Sequence, residues 1–163
     1  MAEREIRLFG DPVLKTPAAT VTVFDDALKD LVRDLLDTTA LPNRAGVAAP
    51  QIGVSQRVFA YHIEGRTGYV VNPEIVELSG EKREIGEGCL SVPELWFPTP
   101  RYERAVVRGV DADGEPVTLE GEGLMAQMLQ HETDHLDGYV YLDRLEREHR
   151  KAALRQVRQS AWF

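Results

Sequence analysis

Apolar residues first fall into a helical rhythm at Leu28, Leu31, Val32, Leu35 and Leu36, which puts them on one face of a helix from Asp25 to about Thr39. The period then shortens. Strand-like segments follow at Arg57 to Ile63, Gly68 to Val71 and Ile75 to Leu78, separated by turn chemistry at Glu64-Gly65 and Asn72-Pro73. Ala105 to Val110 and Pro116 to Leu119 flank Asp111-Ala112-Asp113-Gly114, the signature of a second hairpin whose glycine supplies positive φ. Helical spacing returns at Leu124, Met128, Leu129, His131, Glu132, His135 and Leu136, and Gly138 ends it. Residues 1–23 carry neither period, only turns at Gly10-Asp11-Pro12 and Thr16-Pro17, and are expected to wrap the domain as an irregular arm. Strands grouped between helices predict an α+β fold: antiparallel sheets around a central helix, with one helix N-terminal and one C-terminal to them.

Composition narrows this picture. A chain of 163 residues with 43% hydrophobic content has the size of one domain, and no apolar run approaches the ~20 residues that span a bilayer. A net charge of −8 weighs against binding DNA through a whole basic surface. Met1 to Arg7 has neither the apolar core of a secretory signal nor the character of a transit peptide, so a cytoplasmic location without membrane attachment is expected. Charge is unevenly spread, however. From Arg144 to the end, six basic residues stand against Glu146 and Glu148, a local +4. We therefore divide the chain into a catalytic part, 1–145, and a basic C-terminal helix of the same domain, 146–163, suited to an anionic partner. The apolar stripe Leu154, Val157 and Ala161 equally suits packing of that helix on its own domain.

Candidate chemistry sits on the second helix. His131-Glu132-Thr133-Asp134-His135 places two imidazoles one turn apart on one face, where both can bind one ion, and Glu132 beside them can take a proton from water. His62 and His149 have no spaced partner and read as structural or solvated. A hydrolytic centre of this kind takes a third protein ligand. Cys89, the single cysteine, is the first candidate, set in Glu87-Gly88-Cys89-Leu90-Ser91; Asp134 and Asp137 are rivals with poorer geometry. Glu87 is acceptable near such a centre if paired, and Arg101 is its candidate partner. Finally, Ala45 to Gly53 is built of small residues and forms a suitable cleft wall.

Three of these segments, Gly46-Val47-Ala48-Ala49-Pro50-Gln51, Glu87-Gly88-Cys89-Leu90-Ser91 and Gln130-His131-Glu132-Thr133-Asp134-His135, occur in the order of the peptide deformylase motifs, and the chain resembles that family from about residue 4 to 145. The resemblance implies a hydrolase that removes the N-formyl group from the initiator methionine of nascent polypeptides and releases formate. It implies one divalent ion, Fe²⁺ above all, with Zn²⁺, Ni²⁺ or Co²⁺ able to replace it, held by Cys89, His131 and His135. It implies Glu132 as acid/base, with the Gln51 amide and the Leu90 N–H facing the oxyanion. The substrate would lie as an added strand against Ala45, Gly46 and Gly88, its methionine among Ile85, Leu124, Gln127 and Met128. The ribosome is the anionic partner this biology suggests for the basic helix. Arg44 stands where the family's first motif has glycine, and Ala45 where it has a larger aliphatic residue. An HExxH metallopeptidase and a non-catalytic metal-binding, ribosome-associated module are the alternative readings.

Overall fold

The computed structural model describes residues 3–163, so the first two residues of the expected arm and of the 1–145 unit lie outside the described residues. Helix α1 spans Asp26–Thr39, and the Asp25 carboxylate accepts from the Leu28 N–H to cap it. At its other end the Arg44 guanidinium donates to the carbonyl of Thr38 at 3.0 Å, filling one of the acceptors that every helix terminus leaves open.

Five strands follow in chain order: β1 (Gly46–Ala48), β2 (Val58–Ile63), β3 (Arg66–Cys89), β4 (Val92–Val110) and β5 (Pro116–Glu122). They form one antiparallel sheet in the order β1-β2-β3-β4-β5. Three features differ from the pattern-based expectation. Asn72-Pro73 is not a turn: Asn72 takes φ 52° inside β3, and the register slips between Val71 and Glu74, so the strand bends and continues. The segment through Pro98-Thr99-Pro100 is strand, although proline argues against one. Lastly, β1 arises from the small-residue segment, which shows too little alternation to signal a strand.

Strand alternation divides the core between the two sheet faces. Phe59, Tyr61 and Ile63 turn toward helix α2 (Gly123–Leu136) and pack with Met125, Met128, Leu129 and Leu136. Val58 and Ala60 turn the other way, toward Leu28, Leu31, Val32 and Leu35 of α1. Truncating a fully buried member such as Leu35 costs roughly 2–5 kcal/mol. Gln130 fastens α2 to β4, its amide accepting from the N–H of Tyr102 and donating to the Tyr102 carbonyl, both at 3.0 Å.

Helix α2 ends as its glycine predicts. Gly138 has φ 89°, its N–H reaches the His135 carbonyl, and the Tyr139 N–H returns to the Asp134 carbonyl. A Cβ at that position would also sit 2.8 Å from the Lys15 carbonyl, so glycine is required for space as well as conformation. The arm wraps as expected, with a short 3-10 turn at Pro12–Lys15 and backbone bonds from Arg7 to Gln51, Phe9 to Ser91 and Ala18 to Leu136.

Helix α3 covers Arg147–Gln159, shorter than the 146–163 expected, because Ser160 turns extended and the chain finishes in a turn. Val157 and Ala153 are buried against Phe97, Val140 and Leu142, whereas Ala161, expected in that stripe, is exposed. Among the described residues, no helix is long and apolar enough to cross a membrane.

Candidate active site

Cys89 is the last residue of β3, paired with Val92 across the two-residue turn Leu90-Ser91, so a tight hairpin end carries its thiol to the HExxH helix. His131 and His135 face it from α2. One donor atom from each of Cys89, His131 and His135 lies within 4.8 Å of the others, and the Cys89 Sγ is 3.4 Å from His135 Nε2. Asp134, the rival ligand, is engaged elsewhere: it accepts from Arg101 at 2.8 Å and from Arg144 at 2.9 Å. Asp137 pairs with Arg57 at 3.0 Å, away from the imidazoles.

Buried carboxylates surround these donors. Glu87 pairs with Arg101 as anticipated, accepting from Nε at 2.9 Å and from Nη2 at 2.6 Å. Its Oε2 also accepts from His131 Nδ1 at 2.6 Å. Burial works to raise the Glu87 pKa, yet the neighbouring His131 and the Arg101 bonds outweigh it and hold the carboxyl at about 2. Burial likewise pulls His131 down, but Glu87, Glu132 and Cys89 together keep it well above the usual imidazole value. His135 goes the other way, pushed well below by burial and by the neighbouring His131. A pocket that gathers this much negative charge around one imidazole is one that favours a cation.

Glu132 lies one position past the first histidine, 3.9 Å from His131 Nε2. Burial raises its pKa to about 7. Among the described residues, its Oε1 has no hydrogen-bond partner although it is buried, and neither has His135 Nδ1. A Cβ on Gly46 would come 2.9 Å from the Glu132 carboxylate, so the glycine of the first motif is the wall against which that side chain lies. Gln51 completes the ring. Its carbonyl accepts from the Ala48 N–H at 3.0 Å, while its amide nitrogen reaches Ser91 Oγ at 3.1 Å and Cys89 Sγ at 3.7 Å.

These groups open onto a cavity of about 430 Å³ lined by Ala45, Gly46, Gln51, Glu87, Gly88, Cys89, Leu90, Leu124, Gln127, Met128, His131 and Glu132. Every residue expected at the substrate is there except Ile85, which lies farther up β3, opposite Thr99 and outside the lining. The polarity of Gln127 is neutralised at the wall, because its amide donates to the Gly86 carbonyl and to Glu87. Sequence reasoning missed Asn43, Pro93, Glu94 and Trp96 on the rim. Trp96 is 71% exposed, and a Cβ on Gly88 would meet its ring at 2.8 Å. A tryptophan five residues after a hairpin turn has no pattern that announces such a position.

The donor chemistry fits a divalent ion, with one soft thiol and two imidazoles converging beside an unpartnered buried carboxylate oxygen. Fold and site together define the class: a metal-dependent hydrolase of HExxH type with a cysteine in reach of the ion. A sequence profile described as Polypeptide deformylase matches residues 3–151. The chain belongs to that family, hydrolases that remove N-formyl groups from nascent peptides.

The peptide deformylase of Acidothermus cellulolyticus is 53% identical over 162 residues, covering 99% of this chain and 89% of its own length. Peptide deformylase 1 of Corynebacterium glutamicum is 47% identical, with 100% and 99% covered. Among solved structures, a peptide deformylase from Legionella pneumophila superposes with TM-score 0.90 at 40% identity, over 97% of this chain and 95% of that one. One from Synechococcus elongatus, in complex with actinonin, gives 0.89 at 32% identity, over 99% and 90%. Membership sets aside the peptidase and the non-catalytic readings.

Proposed function

We propose that Cys89, His131 and His135 hold the ion and that Glu132 carries the proton in hydrolysis of the formyl group from an N-terminal formylmethionine. The observation that carries this reading is the convergence of the three donors within 4.8 Å, with the Glu132 carboxylate 3.9 Å from one of them. When bound, a divalent ion supplies Lewis acidity toward water and the formyl oxygen.

Glu132 takes a proton from the attacking water as its oxygen bonds to the formyl carbon, then delivers a proton to the amine nitrogen as the C–N bond breaks. Formate and a free N-terminal methionine result. In this reading the Gln51 amide, whose nitrogen reaches Ser91 Oγ and Cys89 Sγ, and the Leu90 backbone N–H stabilise the developing oxyanion. Ala45, Gly46 and Gly88 offer the peptide a strand edge, and the methionine side chain lies against Leu124, Gln127 and Met128.

Fe²⁺ is the native ion in this proposal, with Zn²⁺, Ni²⁺ and Co²⁺ accepted by the same donors, and the enzyme works in the cytoplasm. Arg147, Arg150, Lys151, Arg155 and Arg158 are exposed on α3 while Val157 packs inward, an arrangement that supports docking of the basic face on ribosomal RNA. Anaerobic purification with elemental analysis, joined to an assay of formate release from a formyl-Met peptide, tests the reading. Iron with stoichiometric formate is expected; cleavage of unformylated peptides instead would overturn it. For the docking, charge reversal at Arg150 and Lys151 is expected to abolish co-sedimentation with ribosomes and leave peptide turnover intact.

A further inference from the structure

At the cleft β4 keeps its alternation: Leu95 and Phe97 are buried, and Trp96 between them turns outward, 71% exposed. Its indole lies along β3. A Cβ on Gly88 would meet the six-membered ring at Cε3, 2.8 Å away, and a Cβ on Gly86 would meet the pyrrole nitrogen Nε1. Two glycines two residues apart present no side chain on that face of the strand, and the ring is seated on the track they leave. A larger residue at either position would push it off. Backbone thus holds one side of the indole, while the rest stays open to the cavity it lines with Leu124, Gln127 and Met128.

Charge on this rim selects little, since Arg44 and Glu94 carry opposite signs and Arg44 is already bonded to the Thr38 carbonyl. What the rim offers beyond the methionine contacts is an apolar ring. A peptide laid as a strand against Gly88 leads away from the reacting carbon, and its side chains alternate, so that residues one and three share a side about 7 Å apart. Gly88 and Gly86 have the same two-residue separation on β3, and the indole spans both. With the methionine against Leu124, Gln127 and Met128, the third residue comes level with the indole and the second faces away from it.

We propose that Trp96 is a specificity-determining residue whose indole receives the side chain of the third residue of the formylated peptide and favours an aromatic one there. This rests on the strand placement proposed above. An aromatic side chain gains most from such a surface, because ring–ring contact adds to the apolar area removed from water.

Formate release from three peptide amides, formyl-Met-Ala-Phe, formyl-Met-Phe-Ala and formyl-Met-Ala-Ala, tests this. Wild type is expected to favour the first over the last by about 2–12-fold in kcat/KM, the worth of one aromatic pair expressed as a ratio. Formyl-Met-Phe-Ala is expected to match the alanine peptide. The contact is the same before and during reaction, so the preference is expected in KM. Trp96→Ala is expected to bring the ratio to about one, and Trp96→Leu, which keeps an apolar cover on Gly86 and Gly88, to an intermediate value. Equal kcat/KM on all three peptides in wild type overturns the proposal while leaving deformylation standing; so does a preference that belongs to the second residue or survives in Trp96→Ala. Absence of formate from every peptide overturns the hydrolytic reading itself, and the role of Trp96 with it.

Discussion

His131 donates through Nδ1 to Glu87 Oε2 at 2.6 Å, and because Glu87 is held ionised by Arg101, this bond dictates which ring nitrogen carries the proton. Nε2 is left as the atom that turns toward Cys89 and Glu132, with orientation fixed from behind. Glu87→Gln keeps the volume but removes the charge that selects this tautomer. A loss of roughly 10–100-fold in metal affinity is expected. Competition with a chromophoric chelator measures it, and an affinity equal to wild type would show that the carboxylate is there for Arg101 alone.

Glu132 touches none of the neighbouring donors closely enough to be needed for holding them together. Glu132→Ala is therefore expected to retain about one ion per chain by elemental analysis while formate release falls by roughly 10²–10⁴-fold, the range general acid–base catalysis contributes. Cys89→Ala is expected to lose both ion and turnover. Full activity in either variant would reverse the assignment of roles.

Gly46 offers a subtler test. An added methyl would come 2.9 Å from the Glu132 carboxylate, which must then shift. Displacements of about 1 Å at a reacting group cost up to about 100-fold in rate. Gly46→Ala is expected to lower kcat on that order with metal content unchanged. Simultaneous loss of the ion would mean that the methyl disturbs the donors as well.

Gln51 is held at the Ala48 N–H and Ser91 Oγ, which fixes its amide plane and turns its remaining N–H to the Cys89 side of the site. Gln51→Ala is expected to reduce kcat/KM by about 10²–10³, as loss of a preorganised oxyanion donor does. Comparison with Ser91→Ala, which frees the amide without removing it, separates donation from orientation. The serine variant is expected to show the smaller loss.

Much of this was legible in the chain. The α1 stripe, the HExxH helix with its glycine stop, and the β4–β5 hairpin each carry a local signal whose period or turn residues dictate one conformation. Glu87 and Arg101 were matched because a buried carboxylate demands a cation. The long arms of β3 and β4 were hidden, because Asn72, Pro73, Pro98 and Pro100 interrupt the pattern, while cross-strand pairing passes Asn72 and Pro73 at a register shift and pairs Pro98 and Pro100 in register with Gly86 and Glu84. Ile85, expected at the methionine from its place in the strand before Cys89, lies outside the cavity lining and pairs with Thr99 in β4. The place of Trp96 depends on contacts across the strands, and no spacing reveals those.

Arg101 binds Glu87 on the sheet and Asp134 on the helix, and Asp134 in turn holds Arg144. This chain of ions joins β3, β4, α2 and the turn after it through side chains of the protein. Folding and metal uptake are therefore expected to be separable, with the melting temperature of the chelator-treated protein as the check. Whereas a zinc finger collapses under chelation, this polypeptide is expected to survive it as an ordered apoprotein, ready to accept whichever suitable cation the cell supplies when translation delivers it.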